Sequence, residues 1–165
     1  MGLFNRGKKT IELQAICQGE VKDIIEASDA VFSQKMMGDG VMVIPESGDI
    51  YAPCDATIAM VFPTKHAMGL KLKDGSELLL HFGIDTVNLN GEGFTVCVKE
   101  GDQIKAGDAL WHADLAYIKE HAPSEAMMIV VTSLADGKTL KKSTWQQKNR
   151  RKVFGNSLNR VTINT

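Results

Sequence analysis

Pro63-Thr-Lys-His-Ala-Met-Gly-Leu-Lys-Leu-Lys-Asp-Gly-Ser-Glu-Leu-Leu-Leu-His-Phe-Gly-Ile-Asp85 is the stretch on which the reading of the fold turns. Asp74-Gly75 at its centre is a strong β-hairpin signal, since both middle positions of a type I′ turn need positive φ. A two-residue turn there sets Lys73 against Ser76, Met68 against His81 and His66 against Gly83. Side chains alternate along a strand, so His66, Met68, Leu70 and Leu72 share one face with Glu77, Leu79, His81 and Gly83. The two imidazoles become diagonal neighbours roughly 7–8 Å apart, within reach of a shared small ligand or group. Thr64 and Asp85 have the same parity as the histidines and flank them if the strands extend that far. A three-residue loop would shift the register by one and send the histidines to opposite faces.

Outward from this hairpin, glycines punctuate short segments rich in Val, Ile, Leu and Thr, the rhythm of an all-β protein. The expected fold is an antiparallel β-sandwich or flattened barrel with at most short helical turns. Further strands are expected at 11–15, 19–24, 40–45, 49–52, 56–62, 95–98, 109–113 and 127–132. Asp114 is a candidate cap for a turn or two before Pro123, and a short turn near Asp29–Phe32 is conceivable. Gly101-Asp102 and Gly107-Asp108 mark two sharp reversals around Ile104.

The chain has 165 residues with 19 Lys plus Arg and 20 Asp plus Glu, and is 44% hydrophobic. This composition excludes global disorder and fits one domain. Residues 1–133 carry net −8 and residues 134–165 carry net +7, so the near-zero total conceals two opposite segments. The expected organisation is a short leader at 1–10, a domain at 11–140 and a basic tail at 141–165 that could include a last strand. The leader pairs two apolar residues with three cations and is expected to be disordered rather than membrane-bound. No run approaches the ~18 apolar residues of a membrane helix, and no secretory signal is visible. A cytoplasmic location follows, and the starting Met1 favours a free protein over a fragment. Cys17, Cys54 and Cys97 have neither disulfide nor zinc-site spacing and read as small core residues.

Two histidines on one largely apolar face point to chemistry. Neutral imidazole is both a nucleophile and a metal ligand near pH 7, because its ordinary pKa is ~6.5. Phosphoryl transfer through one histidine and metal binding by both remain open on the residues alone. His112 and His121 read as structural or surface residues.

At these residues the sequence resembles the glucose-family enzyme IIA domain of bacterial sugar phosphotransferase systems. The resemblance is carried by Asp29-Ala-Val-Phe32, Gly38-Asp-Gly40, Ala52-Pro-Cys-Asp-Ala-Thr-Ile58, Phe62-Pro-Thr-Lys-His-Ala67, Leu80-His-Phe-Gly-Ile-Asp-Thr-Val87 and Gly91-Glu-Gly-Phe94. It runs from about Ile11 to Ser133. It implies that His81 is phosphorylated, that His66 hydrogen-bonds the phosphoryl group and that Thr64 supports the network. It implies phospho-HPr as donor and a cysteine of enzyme IIB, in a IIBC or IICB permease, as acceptor. Regulatory target proteins read by phosphorylation state are compatible with it, as is peripheral attachment to the inner membrane face through the permease. No nucleic-acid partner and no required cofactor are expected, although His66 and His81 could share zinc with a partner's carboxylate. The expected docking residues are Val31, Phe32, Phe62, Met68 and Leu79, with Asp29 and Asp85. Past Ser133 the family supplies a further apolar strand, which Arg160-Val-Thr-Ile-Asn164 could replace.

Two other classes compete. A zinc hydrolase would use His66 and His81 as ligands with Asp85 as third, but lacks an evident general base. A biotinyl or lipoyl carrier is suggested by the paired Gly-Asp turns and by Glu125-Ala-Met-Met128, but Met128 stands where that motif places its modified lysine.

Overall fold

The computed structural model describes residues 11–142 and 161–164. The leader at 1–10 and most of the basic tail lie outside the described residues. In chain order the strands are β1 (Ile11–Leu13), β2 (Gly19–Asp23), β3 (Asp39–Pro45), β4 (Asp49–Tyr51), β5 (Ala56–Val61), β6 (Ala67–Lys71) and β7 (Glu77–Ile84), then β8 (Phe94–Val96), β9 (Gln103–Ile104), β10 (Ala109–Ala113), β11 (Ser124–Ser133), β12 (Thr139–Lys142) and β13 (Val161–Asn164). Two short helices join them, α1 (Ala30–Ser33) and α2 (Leu115–His121). Asp29 and Asp114 cap them, their carboxylates accepting from the amides of Val31 and Tyr117.

A seven-stranded antiparallel sheet in the order β2-β3-β11-β7-β6-β5-β9 faces a three-stranded sheet ordered β4-β10-β8. Between them lies the main core, where Trp111, Phe82, Ile50, Ile58, Leu80 and Leu110 are fully buried. A second apolar cluster of Ile24, Phe32, Met42, Ala67, Leu79, Ile84, Ala126, Met128 and Val130 covers the other face of the large sheet. Burying two faces explains why β7 and β11 read as continuous apolar runs rather than strict alternations.

A third sheet, β1-β13-β12, includes residues beyond Ser133. Val161–Asn164 lies between β1 and β12, with Ile163 opposite both Ile11 and Leu140. Lys142 ties this sheet to the large one, its ammonium donating to Asp23 at 2.8 Å and Asp39 at 2.7 Å.

The Asp74-Gly75 hairpin forms, but not as a two-residue turn. The Leu72 amide donates to the Ser76 carbonyl at 2.9 Å, and the Gly75 amide to the Leu72 carbonyl at 3.0 Å. The loop is therefore Lys73-Asp74-Gly75, with only Gly75 left-handed at φ 92°, the three-residue turn that ends on a glycine. Ala67 pairs with His81, Met68 with Leu80 and Leu70 with Leu78. The expected face is thus overturned: Met68 and Leu70 point into the main core, opposite to His81. Cys97 is a second correction. It is exposed, whereas Cys17 and Cys54 are buried and burial pushes both thiols up to about 12.

Candidate active site: a pair of neutral imidazoles

His81 sits in the middle strand of the large sheet, between Ala67 of β6 and Met128 of β11. Its ring emerges on the outer face, beside Phe32 of α1 at a centroid distance of 5.0 Å. His66 comes from elsewhere. It is the last residue of the loop between β5 and β6, which opens with the Lys65 amide donating to the Phe62 carbonyl at 2.8 Å. Lys65 is left-handed at φ 58°. The His66 carbonyl accepts from the Phe82 amide at 2.7 Å. Because His66 stands outside the strand, strand parity does not dictate its side chain. The rings of His66 and His81 meet edge to face, centroids 4.9 Å apart and planes 83° apart. The histidines come together, as expected, although the register argument for it fails.

A hydrogen bond sets the tautomer of His81, and a second one anchors the ring of His66. His81 Nδ1 lies 2.8 Å from the Gly83 carbonyl; a carbonyl only accepts, so Nδ1 carries the proton and Nε2 presents a lone pair. Gly83 reaches this position at φ 81°, and a Cβ there would run into Thr86 and the Ser124 carbonyl. Thr64 Oγ1 lies 2.7 Å from His66 Nδ1, and Phe62 closes the other side of that ring at 5.5 Å. His66 is 5% exposed.

Burial holds the His66 pKa below its ordinary value. Burial, followed by repulsion from His66, pushes His81 down to about 4; the Gly83 carbonyl, Asp29 and Asp85 oppose this. Both rings are therefore neutral near pH 7. The unfolded chain binds a proton at His81 below pH ~6.5 that the folded chain refuses until about pH 4. Stability from this group is complete above pH 6.5 and falls as the pH drops through that window. His81→Asn should make urea stability less acid-sensitive, by about 2–3 kcal/mol between pH 7 and pH 4.5 at ~1.4 kcal/mol per pK unit. An unchanged acid slope in the variant would refute the depressed pKa.

The expected docking residues separate into three groups. Val31 is 40% exposed, and Asp29, Asp85 and half-buried Phe62 border the imidazoles. Phe32 and Leu79 are buried and form part of the floor. Met68 is fully buried in the main core, so it is not a docking residue. Sequence reasoning passed over Ile25, Met36, Met37 and Val87, exposed apolar side chains on the segments leading into and out of the site. The clustering of Ile25, Met36 and Met37 along 25–37, beside Asp29-Ala-Val-Phe32, was the available signal, and Val87 closes the 80–87 motif. His112, bonded to Asp49, and His121, bonded to the Tyr117 carbonyl, are exposed and take no part. Among the described residues no group of three or more His, Cys, Asp and Glu is placed to hold a metal. Nor is any described helix long and apolar enough to cross a membrane.

A β-sandwich that brings two neutral imidazoles together among apolar side chains, one of them with Nε2 unprotonated, defines the class: a β-domain suited to chemistry at histidine. Residues 11–137 match the family model described as phosphoenolpyruvate-dependent sugar phosphotransferase system, EIIA 1. The chain belongs to that family. It is 57% identical over 123 residues, 74% of its length, to the PTS system glucose-specific EIICBA component of Staphylococcus carnosus (strain TM300). It is 54% identical over 115 residues, 70% of its length, to the glucoside-specific EIICBA component of the same strain. The matches span 18% and 17% of those two relatives. The solved structure of glucose permease IIA from Mycoplasma capricolum superposes with a TM-score of 0.77 at 40% identity, covering 85% of this chain and 88% of that one.

Proposed function

We propose that the chain is a phosphocarrier, taking a phosphoryl group onto His81 Nε2 from phospho-HPr and passing it to a cysteine of a IIB domain. The observation that carries this is the Gly83 carbonyl on His81 Nδ1, which leaves Nε2 as the free nucleophile of a ring that stays neutral near pH 7. In the first step the Nε2 lone pair attacks phosphorus, a new N–P bond forms and the donor's N–P bond breaks. In the second, the acceptor thiolate attacks phosphorus, an S–P bond forms and the electron pair of the broken N–P bond returns to His81.

His66 supplies the electrostatic support. With Nδ1 accepting from the Thr64 hydroxyl, Nε2–H is free to donate to an equatorial phosphoryl oxygen, where charge gathers in a loose transition state. The apolar floor of Phe32 and Leu79 limits water at the labile bond. Val31, with Ile25, Met36, Met37 and Val87, offers the apolar rim on which partners dock. The acidic body, Asp29 and Asp85 included, favours encounter with a basic donor. Phosphorylation adds negative charge at this rim and so gives regulatory partners something to read.

A metal reading rests on two ligands, His66 and His81. Catalytic zinc ordinarily takes three protein ligands, so zinc here would need a carboxylate from a partner. The relay itself requires no cofactor. The biotinyl alternative loses its footing in the fold: Met128 lies mid-strand opposite His81 and is fully buried, where no carrier lysine could swing.

Incubation with phosphoenolpyruvate, enzyme I and HPr, followed by peptide mapping, tests the reading. Acid-labile phosphate on the peptide containing His81 is the expected result. Label on any other residue, or none, sinks it.

A further inference from the structure

Trp111 lies in β10, on the sheet opposite to the histidines, and is fully buried against Phe82 at a centroid distance of 6.0 Å. Its one polar atom leaves the core: indole Nε1 donates to the Lys65 carbonyl at 2.8 Å. Lys65 is the left-handed residue just before His66, at φ 58°. A lysine persists in that region only where its surroundings hold it there. Two ties do so on the carbonyl side, Trp111 at Lys65 and the Phe82 amide at His66. They grip consecutive carbonyls. A phenylalanine at position 111 could occupy part of the same core space, but would leave the Lys65 carbonyl without this donor.

His66 takes its direction from this loop rather than from a strand, so whatever holds the loop aims the imidazole. We infer that Trp111 is a positioning residue for phosphoryl transfer, its indole N–H fixing the 62–66 loop so that His66 meets the transferring group. The inference rests on the proposed role of His66 as phosphoryl donor partner. It connects the main core to the site through one hydrogen bond.

The bond can be deleted with the ring's shape kept, by site-specific incorporation of the benzothiophene analogue of tryptophan at position 111, which places sulfur where the N–H was. Two readouts are taken: histidine side-chain 15N spectra, and transfer kinetics with HPr and a glucose-type IIB domain. We expect the His66 Nδ1 resonance to move toward that of a ring exchanging between tautomers. Transfer from His81 to IIB should fall about tenfold in kcat with KM unchanged, while loading from HPr stays within about twofold, since misplacement of a supporting group costs mainly the step that needs it. A native His66 spectrum overturns the inference, whether the rate is native or reduced through KM. If the unsubstituted protein accepts no phosphoryl group the relay reading fails instead, and the His66 spectrum still decides whether the indole orients the ring.

Discussion

His81→Ala should carry no phosphoryl label after incubation with phosphoenolpyruvate, enzyme I and HPr, a loss of at least ~10³-fold, the scale on which removal of an activated nucleophile acts. No other histidine is placed to substitute. His66 is 5% exposed with Nδ1 held by Thr64, and the exposed rings of His112 and His121 bond elsewhere, to Asp49 and to the Tyr117 carbonyl. The fold should survive, because His81 is only partly buried and its ring stands on the sheet's outer face beside Phe32 and His66 rather than in the main core. Circular dichroism of the variant should match the native protein. Label of native intensity on His81→Ala would end the assignment.

The second large effect separates the two halves of the relay. His66→Gln should still load from phospho-HPr, since the nucleophile and its Gly83 partner are untouched. It should pass the group to IIB roughly 100-fold more slowly, the cost of losing one well-placed donor to developing charge. Glutamine keeps an N–H but cannot keep the Thr64 hydroxyl on a ring nitrogen, so its amide lacks the support that orients the imidazole. Rapid-quench measurement of each step gives the two rates separately. Equal slowing of loading and onward transfer would show that His66 serves general packing rather than the transition state.

Most strands were readable, because in an antiparallel sheet the glycine breaks and β-branched runs report backbone behaviour locally. The two capped turns were readable for the same reason: Asp29 and Asp114 act on amides two or three residues away. The hairpin register was not. Asp-Gly suits a two-residue type I′ turn and equally a three-residue turn with glycine left-handed. The usual arbiter, an apolar stripe on one face, is silent where Leu78, Leu79 and Leu80 are consecutive and both faces of the sheet are covered. Met68 went to the wrong side for that reason. β9, only two residues long, left little local trace; β13 lies in the 160–164 segment named as a possible last strand, but its pairing with β1 and β12 rests on distant partners.

By itself the sequence determined that this is an all-β domain and singled out His66 and His81 as its candidate site, because strand periodicity, turn residues and the motif around each histidine are written within a few positions of one another. Tertiary structure alone decided how the two rings meet. Their surroundings are a loop outside strand parity, the Gly83 carbonyl that leaves Nε2 of His81 unprotonated, and Trp111, 46 residues away from the Lys65 carbonyl it bonds. Such contacts join elements whose separation along the chain bears no relation to their distance in space, and only the packed sandwich brings them together.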